Sequence, residues 1–241
     1  MQAVERPYAF AILREKNRYI TQAADTFERT RQLLETELYD HAGVMLTLAE
    51  RYQGLAIRIG ISAALDGHKA QLPTMQRKDW RDAIWLSLLR QWIADHGGRM
   101  AQETAKTTYL DLQRIIDRAH APDVEFNPAQ VAADMLKVKG LSAFRSDTIA
   151  RTETHNAMMF AAQAGAQRAA NDNDAPMLKR WVPVLDERTR VNHAAMSGVP
   201  PIPMDQDFRV GGYAMQRPGD PRGGSANTVR CRCVLAFSVP E

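Results

Sequence analysis

The feature that most constrains this chain is a pair of short segments near its C-terminal end. Residues 181–198 read WVPVLDERTRVNHAAMSG, and residues 227–233 read NTVRCRC, with the only two cysteines of the chain. The segment between them is rich in proline and glycine, which is typical of a loop. We therefore predict a short strand, a charged turn, and a long loop that returns to a second short strand.

The first of these strands is predicted over residues 178–185, where the pattern alternates. We expect Trp181 and Val184 to face a core. Pro183 favours a position at the edge of a sheet, because proline has no backbone N–H to donate to a neighbouring strand.

The two segments together form the candidate site. Its residues are Asp186, Arg188, Thr189, Arg190, His193, Gly198, Cys231, Arg232 and Cys233. Asp186 is expected to hold the turn after the strand, and Gly198 to end a short helix. One interpretation is a structural zinc site, because an imidazole and two thiolates are good zinc ligands, with Asp186 or His155 as a fourth.

Two other interpretations of the same residues stay open. The second is a metal-free lock, in which the small thiols pack on a buried strand and charged side chains tie the loop. In it, Asp186 bonds to one of the arginines Arg188, Arg190 or Arg232. The third is catalysis, with His193 as a general base beside Asp186 or Glu153.

The first half of the chain is predicted to be a helical scaffold. Apolar residues recur at three- and four-residue steps over residues 7–54, which is the period of an amphipathic helix. Gly67 is expected to end a helix and Thr74 to cap the next one. Two further helices are predicted over residues 75–98 and 99–120.

A turn-rich break at residues 121–128 separates this scaffold from the rest of the chain. We therefore predict a helical N-terminal region over residues 1–125 and a small α+β domain over residues 126–241. The fold class is α+β, with a few short strands and a long loop in the second part.

The second part is predicted to open with two helices, over residues 128–138 and 148–170. Arg151 and Glu153 lie in the first turns of the longer, alanine-rich helix. They either form surface ion pairs or point into the C-terminal region and fix its loop by buried hydrogen bonds.

The bulk properties are those of an ordinary globular protein. The net charge is +3 and the isoelectric point about 8.9, which is only mildly basic. No apolar run is long enough to span a bilayer, and no signal peptide is evident, so the cytoplasm is the expected compartment. The histidines of the helical half, among them His41, have no other ligand at metal-binding spacing, and we expect them at the surface or at helix ends. No cofactor is expected apart from the candidate structural zinc.

The motifs of the C-terminal part resemble the Mu F-like phage head morphogenesis domain, the family of portal-associated minor head proteins. The resemblance covers residues 141–237. It rests on Asp186-x-Arg188-Thr189-Arg190-x-x-His193, Gly198, Cys231-Arg232-Cys233, and the preceding Arg151-Thr152-Glu153. The family usually has asparagine directly before Cys-Arg-Cys, where this chain has Arg230.

The resemblance implies a structural minor head protein of a tailed phage or prophage, present in few copies in the head interior or at the portal. The implied partners are the portal protein, then the major capsid or scaffold protein, with non-specific contact to packaged DNA as a further candidate. No membrane contact is expected. The alternative is an enzyme that acts on nucleic acid, or transfers a nucleotidyl or ADP-ribosyl group, with His193 as its general base.

Overall fold

The computed structural model describes residues 2–66, 78–122 and 124–240. Its helices are α1 (Gln2–Thr30), α2 (Glu35–Leu65), α3 (Lys78–Trp92), α4 (Gly98–Ala119), α5 (Pro128–Lys137), α6 (Lys139–Asp172), α7 (Val191–Ala194) and α8 (Gly224–Thr228). Its strands are β1 (Leu178–Val182), β2 (Ile202–Pro203), β3 (Phe208–Val210), β4 (Tyr213–Met215) and β5 (Val234–Ser238). The predicted α+β class is confirmed: long helices precede a C-terminal region with a few short antiparallel strands.

The chain forms two compact units. The helical unit comprises residues 2–51 and 93–150, and the site unit comprises residues 52–92 and 151–240. The boundary predicted near residue 125 stays a prediction. The helix end predicted at Gly67 and the cap predicted at Thr74 lie outside the described residues.

The core of the helical unit is formed where α1 packs on α4 and α5. Tyr19, Phe27, Leu112 and Met135 are among its buried residues. The Asn127 side chain accepts hydrogen bonds from backbone N–H groups in the first turn of α5 and so caps this helix. The packing of α1 on α4 and α5 buries one face of α1, whereas Phe10 is 68% exposed.

Three predictions about the helices were wrong. The helix over residues 7–54 is in fact two helices, because the chain turns at Arg31, whose φ is 63°. The helix that should end at Gly98 instead continues through a π-helical turn, Ile93–Gly97, into α4. The long helix begins at Lys139 rather than at residue 148.

His41 was expected at the surface or at a helix end, but it is fully buried. Its Nδ1 is 2.9 Å from a carboxylate oxygen of Glu15, and its ring stacks on Tyr19 at 4.6 Å between centroids. Burial raises the pKa of Glu15, but hydrogen bonds from Arg18 and His41 outweigh it, so that the pKa lies below its ordinary value. The buried Glu15 carboxylate thus provides the hydrogen-bond partner that the buried His41 imidazole needs.

The site unit is built on a three-stranded antiparallel sheet in the order β2-β1-β5 and a separate β3–β4 hairpin. Its core contains Trp181, Phe208, Met215 and both cysteines. Phe208 and Met215 come from the segment predicted to be a long loop, which is folded into a hairpin that packs inward.

The prediction that Pro183 marks an edge strand was wrong. Strand β1 lies in the centre of the sheet and ends at Val182, one residue before the proline. Trp181 is buried as expected, whereas Val184 lies beyond the strand and is exposed.

Helices α2 and α6 approach closely within the site unit. A Cβ placed on Gly60 would lie 2.2 Å from the backbone oxygen of Met158, so only glycine allows this approach. Over the described parts of the chain, none of the helices has the length and apolar character needed to cross a membrane.

Candidate functional site

The pairing of β1 with β5 brings the two candidate segments together. Trp181 is opposite Leu235, and Val182 is opposite Val234. The segment 231–233 directly precedes β5, and the charged turn directly follows β1. Antiparallel pairing therefore places the cysteines beside that turn and beside α7, which carries His193.

His193, Cys231 and Cys233 form a compact cluster that we call the thiol–imidazole triangle. Nδ1 of His193 lies 3.3 Å from Sγ of Cys233 and 3.7 Å from Sγ of Cys231. All three side chains are buried, and the Trp181 indole packs edge-on against the imidazole at 5.5 Å between centroids. One ring nitrogen thus faces two sulfur atoms.

The pKa values of the two thiols are shifted in opposite directions. The hydrogen bond to Cys233 and burial raise the pKa of Cys231 well above its ordinary value. The hydrogen bond from Cys231, together with the one from His193, lowers the pKa of Cys233. Cys233 is therefore the sulfur that more readily carries the negative charge.

Asp186 and Arg232 form a paired contact that we call the C-terminal lock. Two guanidinium nitrogens of Arg232 donate to the two carboxylate oxygens of Asp186. These hydrogen bonds lower the pKa of Asp186 well below its usual value. The arrangement is the two-pronged Arg–carboxylate geometry, and it joins residues 46 positions apart in the sequence.

Asp186 also shapes the turn in which it lies. Its Oδ1 accepts the backbone N–H of Arg188 at 3.0 Å, and its own N–H is 3.4 Å from the hydroxyl of Thr189. The Thr189 hydroxyl in turn donates to the Val184 carbonyl. The turn is therefore held by side-chain bonds to backbone groups that no strand pairs.

Further hydrogen bonds connect residues 229–233 to α6 and to Arg190, the residue before α7. Arg190 donates to the Val229 carbonyl at 2.6 Å. The Thr152 hydroxyl accepts the backbone N–H of Arg230 at 3.1 Å, and Nε2 of buried His155 lies 2.8 Å from the Cys233 carbonyl. Burial lowers the pKa of His155, so it is neutral and donates from Nε2.

Arg230 adopts a left-handed backbone conformation with φ of 55°. Asparagine enters this region more easily than arginine does, because its short polar side chain bonds locally. Arg230 therefore adopts this conformation at some conformational cost.

The loop between the two segments is organised by Gln216. Its side-chain oxygen accepts from Gln163 on α6 at 2.5 Å and from Lys179 on β1 at 2.9 Å. Its amide nitrogen donates to Asp207, and its backbone N–H donates to Asp220 at 2.7 Å. Burial lowers the pKa of Lys179 to about 8. The loop is thus anchored to both α6 and the sheet.

The remaining candidate residues take less part in these contacts. The Arg188 side chain is exposed, and Gly198 is the last residue of a 3₁₀ turn, Ala195–Gly198, where a Cβ would meet nothing. Arg151 and Glu153 are both partly exposed. Their neighbours Thr152 and His155 bond to residues 230 and 233 near the C-terminal end.

Comparison with known families decides the assignment. The family model described as Phage Mu protein F like protein matches residues 98–236, more than half of the chain. The chain belongs to this family. No curated protein and no solved structure matches the chain significantly.

Membership of the Mu F-like family makes the chain, in general terms, a phage head morphogenesis protein. The matched region begins at residue 98, well before residue 141, where the recognisable motifs begin. The Mu F-like region therefore includes α4 and α5 as well as the thiol–imidazole triangle and the C-terminal lock.

Sequence reasoning missed several residues of the Mu F-like site. Lys179 and Gln216 were not selected, and Thr152 appeared only within the Arg151-Thr152-Glu153 motif, although each makes a contact that positions the loop. The only signal for Lys179 was its place in a predicted strand, directly after the apolar residues Met177 and Leu178. A lysine there is more often solvated, so the pattern gave no reason to expect burial.

Proposed function

We propose that this chain is a structural minor head protein of a tailed phage or prophage, acting at the portal during head assembly. The observation that carries the proposal is the Mu F-like match over residues 98–236. The extensive ties of the site unit support it, because they favour a fixed surface that docks on other proteins over an open catalytic cleft.

The burial of His193 supports a non-enzymatic role. The side chain is 2% exposed, its Nδ1 faces the two thiols, and its Nε2 is buried. A general base must reach the proton that it removes, either directly or through one water molecule. Asp186, the expected acidic partner, is engaged by Arg232 instead.

The exposed apolar residues of the charged turn support a docking role for it. Leu185 is 68% exposed and Val191 88% exposed, and they lie directly before and after the charged turn, residues 186–190. We propose that this turn contacts the portal protein, with the major capsid and scaffold proteins as the other candidate partners.

The proposal includes contact with packaged DNA. Arg222 and Arg232 are paired with Asp207, Asp220 and Asp186, which leaves less free positive charge on the loop than its composition indicates. Arg188 and Arg209 are exposed and available to phosphates. A contact of this kind is independent of sequence and weakens with salt.

Co-expression with the portal protein of the same phage tests the proposal. We expect the two proteins to elute together on size exclusion, and Leu185→Ser with Val191→Ser to reduce the association. Glu187→Ser, in the same exposed turn, is the matched control and should leave it unchanged. A portal ring that assembles without retaining this chain would count against the portal role.

His193→Gln separates the structural role from the enzymatic alternative. We expect misassembled particles, or fewer of them, and no hydrolytic or transferase activity in the wild-type protein. Normal particles together with loss of a measurable activity would instead support an enzyme.

A further inference from the structure

We infer that His193, Cys231 and Cys233 form a zinc site. The three ligand atoms all lie within 4.8 Å of one another. They belong to segments about 40 residues apart, so a metal ion here would close the whole intervening loop onto α7.

The distances fit a tetrahedral ion. Zinc bonds to thiolate sulfur at about 2.3 Å and to imidazole nitrogen at about 2.0–2.1 Å, so two such ligands stand about 3.5–3.6 Å apart. The observed nitrogen-to-sulfur distances, 3.3 and 3.7 Å, lie on either side of that value.

Hydrogen bonding alone accounts for only part of this arrangement. Nδ1 of an imidazole either donates one hydrogen bond or accepts one. Here it faces Cys231 and Cys233 together, and all three side chains are buried away from water. A cation at the centre of the triangle would satisfy the nitrogen and both sulfurs at once.

The surrounding charges suit thiolate ligands. Arg190 lies three residues before His193, and Arg232 lies between the two cysteines. Two thiolates and one divalent cation add no net charge, so the buried site would leave these arginines free to keep their bonds to Val229 and Asp186.

The fourth coordination position has no protein ligand among the described residues. In the part of the chain that the structure describes, only these three side chains bring His, Cys, Asp or Glu ligand atoms close enough together to share one ion. His155 bonds through Nε2 to the Cys233 carbonyl, and Asp186 is engaged in the C-terminal lock. Both candidates for a fourth protein ligand are therefore committed elsewhere, which leaves three protein ligands and one open position.

Elemental analysis of the full chain, purified without a histidine tag from zinc-supplemented medium, tests the inference. We expect about one zinc per chain, and after growth in cobalt a thiolate-to-cobalt charge-transfer band. Cys231→Ser and Cys233→Ser should each lower metal affinity at least tenfold. Asp186→Asn is the control, because it breaks the C-terminal lock without removing a ligand, and it should keep the metal.

A second readout uses the wild-type chain, in case a serine variant does not fold. Both thiols should react slowly with a thiol reagent and become reactive when a chelator removes the metal. Zinc below about half an equivalent, with no charge-transfer band, would overturn the inference. Thiols whose reactivity ignores the chelator would do the same.

Discussion

Gly219 holds the loop against α6, and replacing it with alanine measures that contact. Its φ is 77°, and an added Cβ would lie 2.2 Å from Oδ1, 3.0 Å from Cγ and 3.2 Å from Cα of Asn156. Rotation of the Asn156 side chain would relieve the first of these contacts, but Cα cannot rotate away. The loop or the helix must therefore shift.

The expected loss of stability has two parts. A side chain at positive φ costs about 1–2 kcal/mol, and overpacking a filled contact costs about 1–3 kcal/mol. Gly212→Ala supplies the first part alone, because its φ is 86° and a Cβ there meets nothing. We therefore expect Gly219→Ala to be less stable than Gly212→Ala by about 1–3 kcal/mol.

Urea unfolding of both variants gives this difference from the transition midpoints at constant slope. Asn156→Ala, combined with Gly219→Ala, should recover part of the difference, with a coupling energy of about 0.5–3 kcal/mol. Equal stabilities for the two glycine variants would refute the docking of the loop on α6.

Three further tests probe the site unit. Gly60→Ala on α2 should lower the free energy of unfolding by about 1–3 kcal/mol, because the Met158 carbonyl cannot move aside. In the control Gly43→Ala, on the same helix, the added Cβ meets nothing, and the free energy of unfolding should rise by about 1 kcal/mol. Similar melting temperatures for the two variants would disprove the close approach. Thr152→Val should lower the free energy of unfolding by about 1–3 kcal/mol, because the Arg230 N–H loses its acceptor. The control is Thr154→Val, which should be neutral or stabilising, because the buried Thr154 hydroxyl has no partner among the described residues. Burial sets the folded pKa of Lys179 at about 8, below its ordinary value of 10.5, so the unfolded state binds more protons between these values. Stability should therefore rise with pH across that window, by at most about 1.4 kcal/mol per pH unit, and the difference between wild type and Lys179→Met should show this slope; a flat difference curve would contradict the burial.

The C-terminal unit could be predicted in outline because its local signals agree with its tertiary contacts. The alternation around Trp181, the turn residue Asp186 and the paired cysteines each indicate part of a returning strand, and the sheet register joins them. The exact partner of Asp186 could not be deduced. Three arginines are available in the sequence, and only the pairing of β1 with β5 selects Arg232.

Other features depended on tertiary packing that the sequence does not display. Residues 31–34 contain neither glycine nor proline, yet the chain turns there with Arg31 at positive φ. His41 is buried because Glu15, far away in the sequence, provides a charged partner. Pro183 was read as a mark of an edge strand, but β1 ends before it and lies in the centre of the sheet.

The central claim is that the tail returns to place both cysteines against the imidazole of α7. Nuclear Overhauser spectroscopy of the chain labelled at cysteine and histidine measures this directly. We predict cross-peaks from the ring protons of His193 to the β-protons of Cys231 and Cys233, which disappear in His193→Gln. A folded protein without these cross-peaks would contradict the account.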